Sequence, residues 1–206
     1  MKILYVMNVG GFSSFFKYFT PFLKKENCII DYAFNSNYSQ LCDECKDENS
    51  TSYNINLSRN PFKLSNLKAI KEIRKIILDG NYDIVHFHTA VPSIFGRLAC
   101  LKIRNKIKTK YVYTPHGLNF NKNSGLISWL FFYPIEKIFA KYVDCVIAMN
   151  KEEFNLMKKM NYPKIEFSHG VGIKLDVVVK NHDSLSIRKE LGIKDDDLVF
   201  LSVGEL

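Results

Sequence analysis

Thr114-Pro115-His116-Gly117 closes the apolar run Lys110–Thr114. Pro115 offers no donor to a strand ladder, and Gly117 accepts backbone angles that other residues avoid. The run therefore reads as a strand that must stop, with His116 on a tight loop at its carboxyl end. His86-Phe87-His88-Thr89 ends a second apolar run, and residues two apart on a strand share a face. His88 falls at the carboxyl end, in line with His116, and His86 reads as a hydrogen-bonded core imidazole. Asn8-Val9-Gly10-Gly11-Phe12 ends a third run ahead of a helical pattern, where backbone amides suit an anion. Open α/β sheets bind ligands at such strand–loop junctions. His116 is accordingly the expected catalytic centre, with Gly10, Gly11, Phe12, His88, Thr89 and Gly117 around it. A metal pair at His86 and His88 lacks a carboxylate or third ligand at metal spacing, so no metal site is expected. Cys42-Asp-Glu-Cys45 has C-x-x-C spacing but no second pair, and reads as a polar loop with free thiols. The full G-x-G-x-x-G fingerprint is absent, so no dinucleotide cofactor is expected.

The elements that position these residues alternate regularly. Lys2–Met7, Cys28–Phe34, Tyr53–Leu57, Asp83–His88, Lys110–Thr114, Val143–Met149 and Ile165–Ser168 read as strands, several of them apolar on both faces and hence parallel. Helices are expected from Ser13 or Ser14 to about Lys25, over Phe62–Leu78, Thr89–Ile103, Leu126–Lys141 and Lys151–Met160, and over Ser184–Leu191. In Phe62–Leu78 the spacing sends Leu64, Leu67, Ile70, Ile73, Ile76 and Ile77 to the core and leaves a basic face to water. Arg97 reads as a surface ion pair. Leu126–Lys141 carries more aromatic surface than one core-facing stripe needs, which suits a bilayer interface, an acceptor groove or an ordinary core helix. Asn35–Ser52 is a polar excursion. His169-Gly170-Val171-Gly172 follows the seventh strand, Lys174–Asp183 reads as a linker, and Leu198–Gly204 as a fresh parallel-type strand. The expected fold class is α/β, a doubly wound Rossmann-like domain with a mostly parallel sheet.

The chain has 206 residues, enough for one sizeable domain or a domain and part of another. Its uncharged stretches, Asn123–Ile135 among them, fall short of the roughly 20 apolar residues that span a bilayer. The N-terminus is apolar too briefly for a signal peptide, and five cysteines without one argue against a disulfide framework. The expected location is cytoplasmic, either free or peripheral on the inner face of the cell membrane. A formal net charge of +8 suits phosphorylated small molecules, an anionic membrane or nucleic acid. Without a zinc finger, an aromatic RNP motif or a basic arm, nucleic acid is not the expected partner.

Six stretches in order resemble the N-terminal half of family 4 glycosyltransferases of the GT-B fold, in particular bacterial capsular and exopolysaccharide enzymes. They are Asn8–Gly11, His86–Thr89 with Gly96–Ala99, Tyr113–Gly117, Tyr133–Lys137, Gly170–Ile173 and Leu201–Leu206. The resemblance implies residues 1–175 as an acceptor-binding domain, and residues 176–206 as a linker and the start of a donor-binding domain. It implies retaining transfer from a nucleotide-diphosphate sugar to a glycan or polyprenyl-linked acceptor, with no further cofactor. By motif, Gly11 approaches a phosphate, His116 contacts the donor sugar, and Gly170 and Val171 lie at the interdomain crossover. Glu205 departs from the pattern, since many relatives carry an arginine there. The second domain's paired-glutamate motif and most of its phosphate-binding residues are also missing. The isolated chain is therefore expected to be inactive or very weak, and to need a separate C-terminal half. Alternatives are a non-catalytic acceptor- or membrane-docking domain, and a GT-B-like epimerase or phosphorylase.

Overall fold

The computed structural model describes residues 1–10, 13–170, 184–194 and 196–200. Its seven strands are β1 (Lys2–Val6), β2 (Ile29–Phe34), β3 (Ser52–Asn54), β4 (Ile84–His88), β5 (Lys110–Thr114), β6 (Cys145–Ala148) and β7 (Ile165–Phe167). They form one sheet in the order β3-β2-β1-β4-β5-β6-β7. Every neighbouring pair is parallel. The helices are α1 (Ser13–Lys25), α2 (Ser65–Gly80), α3 (Ala90–Cys100), α4 (Leu126–Phe139), α5 (Lys151–Met157) and α6 (Ser184–Glu190). This is the expected doubly wound α/β architecture. None of the described helices is long and apolar enough to cross a membrane.

Both faces of the sheet are apolar because both are packed, which is why the strands read as continuous rather than alternating runs. Leu4, Val6, Val85, Phe87, Tyr111 and Tyr113 bury one face against Ala69, Ile73 and Ile77 of α2 and Ala99 of α3. A Cβ on Gly96 would lie 2.2 Å from Phe87 Cε1, so α3 rests on β4 with no room for a side chain. Ile3, Tyr5, Met7, Ile30 and Tyr32 bury the opposite face around Phe16 of α1. Further along that face Ile84, Val112, Ile147 and Met149 are only half-buried. With Phe19 and Leu23 of α1 they line an apolar pocket of about 250 Å³.

Three expectations are corrected. In α2 the buried stripe is Asn66, Ala69, Ile73 and Ile77, and Leu64 and Leu67 are exposed. The cause is Asn66, whose Oδ1 accepts the Ser58 N–H at 2.7 Å while its Nδ2 donates to the Asn60 carbonyl at 2.9 Å. These bonds fix the first turn with the amide inward, which rotates the two leucines away from the sheet. Arg97 is fully buried and paired with Glu136 at 2.9 Å. It lies on the sheet-facing stripe of α3, and a carboxylate from α4 makes that burial tolerable. Leu198, Val199 and Phe200 are exposed and, among the described residues, form no strand. Leu201–Gly204, the rest of that expected strand, lies outside the described residues. By its contacts the chain divides into two units, Met1–Gly172 and Ile173–Leu206.

Candidate active site at the carboxyl edge

The strand order reverses beside β1, with β2 on one side and β4 on the other. Chain leaving β1 and chain leaving β4 therefore flank a crevice at the carboxyl edge, the position where doubly wound sheets bind ligands. Thr89 leaves β4, and its Oγ1 donates to Asn8 Oδ1 at 3.1 Å. Asn8 is buried, and its Nδ2 donates to the Ser58 carbonyl at 3.1 Å. The two loops are thus tied together by a polar bridge that is itself anchored.

Backbone strain gathers at the same edge. Thr89 has φ 67° and ψ 165°, a region occupied almost entirely by glycine and costly for a β-branched residue. Its N–H donates to the Thr114 carbonyl at 3.0 Å, and its carbonyl accepts the Ser93 N–H at 3.2 Å. His116, on the adjacent strand end, has φ 55°. Non-glycine residues in such conformations persist only where the surroundings over-determine them, and they cluster at functional sites.

The histidines form a stack. His88 Nδ1 and His116 Nε2 are 3.0 Å apart, so one imidazole donates and the other accepts. His86 Nε2 is 2.8 Å from Thr114 Oγ1, and the His86 and His88 ring centroids are 4.0 Å apart. His88 is fully buried. Tyr5 and Phe16 meet its ring at 4.7 Å and 5.1 Å. Burial pushes the His116 imidazole down to about 4. Burial, with a lesser contribution from His116, pushes His86 down to about 3. Burial and then the neighbouring histidines hold His88 well below its ordinary value. All three are neutral at pH 7. His116 therefore presents a neutral imidazole, able to share one proton with His88.

This neutrality has a sign in stability. An unfolded histidine gains its proton near 6.5, whereas these stay neutral to about 4 and about 3. Their contribution is complete above about pH 6.5 and is lost as the pH falls through that window, because the unfolded chain binds the protons first. Urea midpoints are expected to fall between about pH 7 and 5, and the fall is expected to be shallower in His86→Gln. A flat midpoint over that range would show that these imidazoles charge normally.

The remaining expected site residues are placed as follows. A Cβ on Gly10 would come 2.8 Å from the Gln40 carbonyl oxygen. The Gly10 carbonyl accepts the Cys42 N–H at 3.2 Å, so glycine is required where the 40s loop docks. Gly117 is exposed, with φ 117° and open space around its Cα. Gly170 has φ 93°, follows β7 at the far edge of the sheet, and accepts the Ser168 hydroxyl at 3.0 Å. Gly11, Phe12 and Val171 lie outside the described residues. The structure thus brings His88, Thr89, His116 and Gly117 together with Asn8, and leaves Gly170 separate. Asn8 and Thr114 were missed as individual site residues. The one available signal was a polar side chain at the end of each apolar run. Cys42 and Cys45 are free thiols. A hydrogen bond with Cys42, then burial, raises the Cys45 thiol, which disfavours the reactive thiolate. Among the described residues no cluster of three or more His, Cys, Asp or Glu is arranged to hold a metal ion.

Residues 2–150 match the family described as Glycosyl transferase 4-like. The chain is 33 % identical over 158 residues to a Bacillus subtilis (strain 168) protein named as a glycosyltransferase, EpsD, a match covering 75 % of this chain and 41 % of that protein. It is 27 % identical over 154 residues to the Escherichia coli UDP-Gal:alpha-D-GlcNAc-diphosphoundecaprenol alpha-1,3-galactosyltransferase, covering 73 % of this chain and 39 % of that one. Among solved structures, a glycosyltransferase from Rickettsia africae ESF-5 superposes with a TM-score of 0.63 at 21 % identity, over 95 % of this chain and 50 % of that chain. That last likeness is one of fold. The chain spans about two fifths of the length of the two curated relatives.

Proposed function

The chain belongs to the glycosyl transferase 4-like family, and from that premise we propose that it is the acceptor-side half of a retaining glycosyltransferase of the GT-B type. The reaction moves a hexosyl group from a nucleotide-diphosphate sugar to a glycan or polyprenyl-linked acceptor in the building of surface polysaccharide. Residues 1–175 form the acceptor-binding domain, and residues 176–206 lead towards a donor-binding one. The observation that carries the reading is the convergence of Asn8, His88, strained Thr89 and strained His116 at the strand-order reversal.

The acceptor hydroxyl oxygen attacks the anomeric carbon, the bond from that carbon to the diphosphate oxygen breaks, and the departing diphosphate takes the hydroxyl proton. Positive charge develops on the sugar and negative charge on the leaving group, and fixed dipoles stabilise both without reorganising. His116 supplies such a dipole, from its neutral ring or its loop carbonyl, on the wall facing the sugar. His88 orients that ring through their shared hydrogen bond. By the family motif, the Gly11 backbone is the part that would approach the phosphates. The E. coli relative's name specifies a diphosphoundecaprenol acceptor. A similar acceptor here would make the protein peripheral at the inner face of the membrane.

The test is sugar transfer from radiolabelled nucleotide sugars to a polyprenyl-diphosphate-linked acceptor. It is run with the chain alone and with a chimaera that continues into the remaining length of the Bacillus subtilis relative. Transfer by the chimaera, with little or none by the chain alone, is expected. No transfer by any nucleotide sugar would sink the enzyme reading and favour a docking domain. Robust transfer by the chain alone would sink the half-site reading.

A further inference from the structure

Phe62, Leu64 and Leu67, at the start of α2, are exposed, Leu64 to 81 %. Leu126, Ile127, Leu130 and Phe131, at the start of α4, are exposed too, Ile127 to 83 %. The Phe62 and Phe131 ring centroids are 5.6 Å apart, which joins the two groups into one apolar patch. In an all-parallel sheet the helices that follow strands begin at the carboxyl edge, so the patch lies at the edge that carries His116.

Basic side chains predominate around the patch. Asn49–Lys71 contains no acidic residue and carries Arg59, Lys63, Lys68 and Lys71, all exposed. Ile84–Ile135 contains no acidic residue either. Two carboxylates, Glu72 and Glu152, keep their charge but are held by neutral amides: Glu72 accepts from the Asn56 N–H at 2.8 Å and from Asn56 Nδ2 at 2.6 Å, and Glu152 accepts the Lys122 N–H at 2.9 Å. The N-termini of α2 and α4 add positive partial charge at this edge.

We propose that the α2–α4 patch is a membrane-docking surface that seats on an anionic phospholipid bilayer, with its apolar side chains in the headgroup boundary and its basic rim on the phosphates. Apolar area and charge attraction together are what hold a monotopic surface. A second copy fits less well. A two-fold contact through this patch would bring its basic rim against the partner copy's basic rim. The proposal gives a location to the polyprenyl-acceptor reading and rests on it only for purpose, since bilayer binding needs no donor or acceptor.

The experiment is co-sedimentation of the 206-residue chain with phosphatidylglycerol–phosphatidylethanolamine vesicles, with phosphatidylcholine vesicles as the comparison. Binding to the anionic vesicles, weakened by salt, is expected. Leu64→Ser with Ile127→Ser is expected to reduce that affinity about tenfold or more, and Lys63→Glu with Lys68→Glu to reduce it as well. These side chains are exposed, so an unchanged urea midpoint verifies that the variants fold. Absence of binding to anionic vesicles, or binding that neither pair alters, overturns the proposal. So does a solution dimer dissolved by Leu64→Ser and Ile127→Ser in a chain that ignores vesicles, which would assign the face to a second copy. Vesicle binding without sugar transfer by the chimaera would sink the enzyme reading and leave this one standing.

Discussion

His116→Ala in the sugar-transferring chimaera is expected to lower kcat about 10²–10³-fold, the usual cost of removing one preorganised dipole from a charged transition state. KM for the acceptor is expected to change far less, because the ring's contribution grows as charge develops on the donor sugar. Three observations meet at this residue: φ 55° on a non-glycine residue, a hydrogen bond to a fully buried histidine, and an imidazole kept neutral down to about 4. A turn needs none of them. Gly117 follows directly and tolerates positive φ without strain. A merely structural His116 would leave kcat unmoved once the variant folds, or would change kcat only in step with the urea midpoint. Either outcome would take His116 out of the chemistry and leave Pro115-His116-Gly117 as a strand stop.

The same reasoning gives His88 a different part from His116. It has no exposed surface, it shares a proton with His116, and Tyr5 and Phe16 wall it in. His88 is thus a positioning residue that holds the reactive-side ring in place. Thr89 extends this rigidity across the crevice. Its strained backbone is fixed by hydrogen bonds on both sides, and its hydroxyl ties β4's exit to Asn8 at β1's exit. The crevice between the strands is therefore built before any ligand arrives, which lowers the ordering cost of binding.

What the sequence made legible follows from range. Strand stops, glycine turns and helix spacing are local, so β5's end at Thr114 and the start of α4 at Leu126 fell where their residues put them. Asn150 is the N-cap of α5, its Oδ1 accepting the Glu153 N–H at 2.8 Å, a bond set by residues only three apart. Long-range partnerships were not legible. Nothing near Arg97 in sequence announces Glu136, and without that carboxylate an arginine is expected at the surface. Asn66 looked like an ordinary helix residue, yet its two bonds to the 58–60 turn set the rotation of α2 and exposed Leu64 and Leu67. The histidine stack was half legible. Spacing put His86 and His88 on one face, but the 3.0 Å approach of His116 depends on the register of β4 with β5, where His88 pairs with Thr114. The strain at Thr89 left no trace in residue type, since threonine is a poor choice for that conformation.

Arg97→Ala and Glu136→Ala are each expected to cost about 3–5 kcal/mol of stability, the cost of leaving one member of a buried ion pair unpaired. The Arg97 Nη2–Glu136 Oε1 distance is 2.9 Å, and Arg97 Nε donates to the Ser93 carbonyl at 3.2 Å. The guanidinium also lies 4.9 Å from the Tyr113 ring and 5.5 Å from the Phe139 ring. Tyr162 donates to the same Glu136 oxygen. Burial and then the Glu136 carboxylate hold its hydroxyl well above the ordinary range, so it stays a donor. Replacing the group as a whole, with Arg97→Met, Glu136→Leu and Tyr162→Phe together, is expected to cost much less than the sum of the single changes. Desolvation is avoided when no charge remains. Urea denaturation of the singles and the triple measures this directly. Single costs below about 1 kcal/mol would mean that water reaches the pair. The network ties the last turn of α3 to α4 and to the chain beyond α5. α3 begins just after Thr89, and α4 begins nine residues after Gly117, so both walls of the crevice hang on helices joined at Arg97. Loss of the pair is therefore expected to lower transfer by the chimaera in proportion to the unfolded fraction, with kcat per folded molecule recovered on cooling, whereas His116→Ala is expected to stay slow at every temperature where it folds.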